Sequence, residues 1–80
     1  MRITVLFFGA AYDLAGVRQM PIELADGADT ESLRSILADR YTGINSSLRY
    51  AIAVNEIHCA QPTVLKDGDV VAVLPPVSGG

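Results

Sequence analysis

Ile3-Thr4-Val5-Leu6-Phe7-Phe8 is apolar on both of the faces that a strand would present. Side chains alternate along an extended backbone, so Ile3, Val5 and Phe7 point one way and Thr4, Leu6 and Phe8 the other. Such a run belongs in the middle of a sheet, or has one face covered by a partner. Gly9 ends it. Val70-Val71-Ala72-Val73-Leu74 has the same character near the other end of the chain. The two runs are best placed side by side at the centre of a sheet, and the rest of the chain is read around that pair.

After the first run, Ala11-Tyr12-Asp13-Leu14-Ala15-Gly16 reads as one short helical turn with Gly16 as its stop. Gln19-Met20-Pro21-Ile22-Glu23-Leu24 then alternates, with Met20, Ile22 and Leu24 on one face and Gln19 and Glu23 toward water. Pro21 lacks an N–H, which puts this strand at an edge. Asp26-Gly27 is a turn. Thr30 is the expected helix N-cap, and Glu31 follows in the first turn, where the helix dipole favours a carboxylate. Leu33, Ile36, Leu37 and Tyr41 recur at helical spacing, and Gly43 is the expected stop. Ala51-Ile52-Ala53-Val54 is a short strand, Asn55-Glu56 a tight turn into Ile57-His58-Cys59, and Lys66-Asp67-Gly68-Asp69 a strong turn signal. The order strand, strand, helix, strand, strand predicts an α+β fold of the β-grasp type, a mixed sheet gripping one main helix. Residues 1–76 are expected to form that domain and residues 77–80 a flexible C-terminal carrier tail.

The chain has 80 residues, half of them apolar, which is one domain with one core. A chain this short buries roughly 60–65% of the surface its unfolded form exposes. A pocket enclosing a small ligand takes about 300–1,000 Å³ and would consume much of that core. The composition therefore favours a module that acts with a partner over a self-contained enzyme. The net charge is −3, and Arg2, Arg18, Arg34, Arg40, Arg49 and Lys66 are scattered, so no basic stripe offers itself to nucleic acid. The single cysteine, Cys59, builds neither an intrachain disulfide nor a cysteine zinc site, which suits a reducing compartment. No stretch approaches the roughly 20 apolar residues of a membrane span, and the opening residues lack the long apolar region of a signal peptide. A soluble, cytoplasmic protein is expected, with no membrane partner, no bound cofactor and no metal.

Conventional catalytic sets are missing. His58 and Cys59 are sequential neighbours, and on a strand their side chains diverge, so they read as a surface histidine and a small buried hydrophobe. What remains is the end of the chain, Pro75-Pro76-Val77-Ser78-Gly79-Gly80. The proline pair forbids further ladder pairing and stiffens the exit. Val77 and Ser78 supply one apolar and one polar anchor. Gly79 and Gly80 have no Cβ, so their backbone can thread a narrow tunnel. A terminal carboxylate is a poor electrophile until activated, most simply as an acyl adenylate, after which sulfur can replace one oxygen. A frayed terminus would also end in small residues; the doubly apolar strand and proline pair ahead of the glycines argue for a built carrier tip.

The chain resembles the small subunits of molybdopterin synthase, a family of ubiquitin-like sulfur carriers. The resemblance spans essentially the whole length. It is carried by Val5-Leu6-Phe7-Phe8-Gly9-Ala10, Leu14-Ala15-Gly16, Ala53-Val54-Asn55, Leu65-Lys66-Asp67-Gly68-Asp69-Val70-Val71 and Leu74-Pro75-Pro76-Val77-Ser78-Gly79-Gly80. It implies that a ubiquitin-activating-like enzyme uses Mg and ATP to adenylate the Gly80 carboxylate, and that a sulfurtransferase system makes the Gly80 thiocarboxylate. It implies further that the large synthase subunit takes in the tail, so that sulfur passes to cyclic pyranopterin monophosphate to form the dithiolene of molybdopterin. Catalytic side chains would belong to the large subunit, in a heterotetramer. Gly80 and Gly79 would be the reacting end. Phe8, His58, Leu74, Pro75, Pro76, Val77 and Ser78 would meet partners, although family members often carry an apolar residue where His58 stands. The same fold and tail would equally serve a sulfur carrier for thiamine thiazole synthesis or tRNA thiolation, or a ubiquitin-like protein modifier.

Overall fold

The computed structural model describes residues 1–41 and 50–74. Its elements are β1 (Arg2–Phe7), α1 (Ala10–Ala15), β2 (Gln19–Glu23), α2 (Thr30–Arg40), β3 (Ala51–Val54), β4 (Ile57–His58) and β5 (Val70–Leu74). The strands form one five-stranded sheet in the order β2-β1-β5-β3-β4. The two doubly apolar runs lie together at its centre, as expected. They are parallel, with Thr4 opposite Val70, Leu6 opposite Ala72 and Phe7 opposite Val73. A parallel pair needs a long crossover, and the chain between β1 and β5 is that crossover, carrying the main helix. β2 and β3 flank the pair in antiparallel register, which makes the sheet mixed. Pro21 sits on the edge strand β2, at Thr4.

The observed order has one strand more than the sequence predicts. Ile57 and His58 pair with Val54 and Ala53 as a two-residue strand. Two residues are too few for a period to declare itself.

Helix α2 covers one face of the sheet. Leu33 and Leu37, one helical turn apart, are completely buried against Ile3, Val5, Phe7, Val71 and Val73. Burying each leucine fully contributes about 2 kcal/mol. Ile36 and Tyr41 pack at the margin of the same core, and the Tyr41 ring meets Phe7 edge-on at 5.8 Å between centroids.

The helix begins one residue earlier than expected. Asp29, not Thr30, is the N-cap: its backbone is extended and its Oδ1 accepts from Ser32 N at 2.9 Å. That bond is the main reason the Asp29 carboxyl titrates below the usual aspartate range. Thr30 is the first helical residue and is buried. It donates its N–H to Thr63 O at 2.9 Å, and its Oγ1 accepts from Thr63 N at 3.1 Å. Asp caps at least as well as Thr, which releases Thr30 to tie the helix to the loop before β5. The stop expected at Gly43 lies outside the described residues, as do Pro75, Pro76 and the tail at 77–80.

Among the described residues, the sheet's second face carries no helix. Ile3, Val5 and Phe7 alternate as buried residues with half-buried Thr4 and Leu6, and Val71 and Val73 alternate in the same way with Ala72 and Leu74. The two central strands are thus apolar on both sides, although this fold buries only one of them.

Candidate functional site

The uncovered face holds a shallow apolar groove of about 550 Å³. Its floor is set by register. Leu6 lies opposite Ala72, and Ala72 opposite Ala53, so two small side chains meet across β5 and β3. Leu6, Phe8, Val70 and Leu74 rise around them, and Asn55 and Glu56 close the far end. Phe8 is 45% exposed and Val70 39%. Contiguous apolar surface of this kind on a small domain marks a partner site. Among the described residues, the lining offers hydrophobic contact and one carboxylate, and no side chain suited to nucleophilic attack.

The parallel pairing decides where the tail starts. β1 and β5 end at the same edge of the sheet, where Phe8 N donates to Val73 O at 3.2 Å. Phe8, the residue after β1, and Leu74, the last of β5, therefore stand together where the chain leaves for Gly80. The structure brings these two expected contact residues into one groove. His58 is exposed and pairs with Ala53, which places it on the same face, on the outermost strand beyond the groove's floor. Cys59, expected to be buried, is only half-buried, because it follows the edge strand β4. It lines a separate hollow with Ile57 and Val64. Pro75, Pro76, Val77, Ser78, Gly79 and Gly80 lie outside the described residues. Among the described residues, no group of three or more His, Cys, Asp and Glu side chains is placed to hold a metal ion.

A polar clamp fixes the start of β5, and with it the position from which the tail departs. Asn55 Nδ2 donates to Asp69 Oδ1 at 2.9 Å, and Asn55 Oδ1 accepts from Val70 N at 2.9 Å. The Asn55 N–H donates to Val70 O at 2.8 Å. Asp69 Oδ2 accepts from Lys66 N at 2.8 Å, and Asp67 Oδ1 from Arg2 N at 2.8 Å. The turn expected at Lys66-Asp67-Gly68-Asp69 is present, with Gly68 at φ 85°, and it is sewn to β1 and to the β3–β4 hairpin. Asn55 itself has φ 50°, a conformation in which Asn is among the better-tolerated residues. Asn55→Ala removes both side-chain bonds and leaves a methyl group in a left-handed conformation, so it should cost about 2 kcal/mol of stability. Urea denaturation of the two proteins checks this.

Sequence reasoning missed Leu6, Ala53, Val70 and Ala72 as site residues. The signal that finds them is parity: they alternate with the core residues and fall in step with Phe8 and Leu74.

The ThiS family model matches residues 5–80. The chain is 37% identical to the molybdopterin synthase sulfur carrier subunit of Chlamydomonas reinhardtii, over the full length of both. Among solved structures, it is similar to the complex of subunits 1 and 2 of the molybdopterin-converting factor from Helicobacter pylori, at 35% identity and a TM-score of 0.69 with both chains fully covered. The small archaeal modifier protein 1 of Haloferax volcanii shares the fold, with a TM-score of 0.83, 18% identity, and 95% of this chain and 98% of the other covered.

Proposed function

The chain belongs to the ThiS family, and from that membership we propose that it is the sulfur carrier subunit of a molybdopterin synthase. Its full-length relatives carry that name. The observation that carries the reading is the apolar groove that runs to the very edge where β5 releases the tail. A carrier needs both parts: a face to hold the partner and a slim reactive tip at a fixed distance from it.

In this reading residues 1–76 are the docking domain and 77–80 the carrier tail. Phe8 and Leu74 anchor a large subunit in the groove, with His58 at the rim. Pro75, Pro76, Val77 and Ser78 direct the tail into the partner's active site. An adenylating enzyme of the ubiquitin-activating kind joins the Gly80 carboxylate to AMP from Mg-ATP, with loss of pyrophosphate. A sulfurtransferase then supplies the sulfur that displaces AMP. The Gly80 thiocarboxylate gives that sulfur to cyclic pyranopterin monophosphate, and Gly79 leaves the reacting end without side-chain bulk. The complex of subunits 1 and 2 from Helicobacter pylori supports a second subunit as the partner, and the apolar groove is the surface assigned to it here. The test is reconstitution: sulfur-loaded chain, large subunit and cyclic pyranopterin monophosphate should yield a dithiolene product, two carriers being consumed per product. Failure to form product with a large subunit that works with its own carrier contradicts the assignment.

A further inference from the structure

The turn at the far end of the groove contains a residue its backbone does not favour. Between the paired residues Val54 and Ile57, Asn55 has φ 50° and Glu56 φ 71°. Positive φ at both central positions is the mark of a type I′ hairpin turn, where Asn is common first and Gly is preferred second. Asn55 is compensated by the clamp to Asp69 and Val70. Glu56 has no such compensation. It is exposed, and among the described residues its carboxylate accepts no hydrogen bond and forms no ion pair. A non-glycine residue held in this region without internal support points to a role outside the fold.

The placement of Glu56 supplies that role. It lines the end of the groove opposite Leu74 and is, among the described residues, the only formally charged one in the lining. Asn55, its neighbour in the turn, is held to Asp69 by the clamp, so the backbone that carries Glu56 is fixed in place. A partner seated on the apolar floor meets this carboxylate at its margin. Covering it unpaired is costly, whereas a cation opposite it adds attraction and fixes orientation. We infer that Glu56 is a specificity-determining contact: the large subunit presents an apolar anchor to the Ala53–Ala72 floor and a lysine or arginine to Glu56. Anchoring at both ends sets the direction of docking, so the tail points into the partner rather than away from it. This inference rests on the groove being the large-subunit site proposed above.

The experiment is titration calorimetry of the full chain against the purified large subunit at low and at high salt, with thermal unfolding of each variant alongside. Glu56→Lys should weaken binding about tenfold or more at low salt, Glu56→Gln should weaken it less, and both should flatten its salt dependence. Glu56→Gly should raise the unfolding midpoint while weakening binding as Glu56→Gln does, which separates docking from folding. Phe8→Ala serves as the control for the groove. Wild-type affinity and salt dependence in Glu56→Lys, with Phe8→Ala weakened, would overturn the Glu56 contact and leave the groove standing. Wild-type affinity in Phe8→Ala as well would remove the groove itself as the docking site.

Discussion

Deleting Gly80 should abolish sulfur transfer while the domain stays folded. The reacting carboxylate would then sit on Gly79, withdrawn by one residue, which is about 3.3–3.6 Å of extended chain. Reacting atoms must come within about 3–3.5 Å in the productive geometry, and a 1 Å misplacement can cost about a hundredfold. A shortfall of several ångströms should therefore lower both thiocarboxylate formation and dithiolene formation by more than about a hundredfold. The core runs from Ile3 to Val73, so the unfolding midpoint should match the full-length chain. Single-turnover transfer assays alongside thermal unfolding read both. Retained transfer in the shortened chain would mean that the tip is not the carrier.

The second large effect concerns Phe8 and Leu74. Both lie in the groove, and Phe8 is 45% exposed, so trimming either leaves no sealed cavity and should cost the fold under about 1 kcal/mol. At an interface, anchors of this kind are worth about 1–3 kcal/mol when truncated, so each alanine variant should bind the large subunit about 10- to 100-fold more weakly. Leu33→Ala makes the contrast. That side chain is fully buried, and its loss should cost about 2–5 kcal/mol of stability. Calorimetric binding and urea denaturation of the three variants separate the two behaviours. A heavy loss of stability in Phe8→Ala with binding intact would turn the groove into misread core.

Much of this was legible in the sequence because the signals are local and periodic. Apolar residues on both faces of β1 and β5 point to the centre of the sheet or to a face covered by a partner. Those two readings stood as alternatives in the sequence. The structure places both runs at the centre of the sheet, and among the described residues the helix stripe of Leu33 and Leu37 covers one face; a partner on the other face is part of the proposed function. Pro21 correctly marked an edge. Less legible was whatever depends on partners distant in sequence. Thr30 looked like a cap because Thr63, its actual partner, is 33 residues away. Strand β4 is defined only by its pairing with Ala53 and Val54. Glu56 looked like one polar residue of a tight turn until the register placed it at the end of the groove. Cys59 followed its type preference for burial into a prediction that the edge position of β4 defeats.

A sulfur carried on Gly80 changes the intact mass of the protein. The chain, with an authentic Gly80 terminus, would be measured before and after incubation with Mg-ATP, a sulfur source and the adenylating enzyme. The mass should rise by the exchange of one oxygen for one sulfur, confined to the peptide that ends in Gly80. An unchanged mass, with an adenylating enzyme shown to be active on another carrier, would contradict sulfur carriage on Gly80.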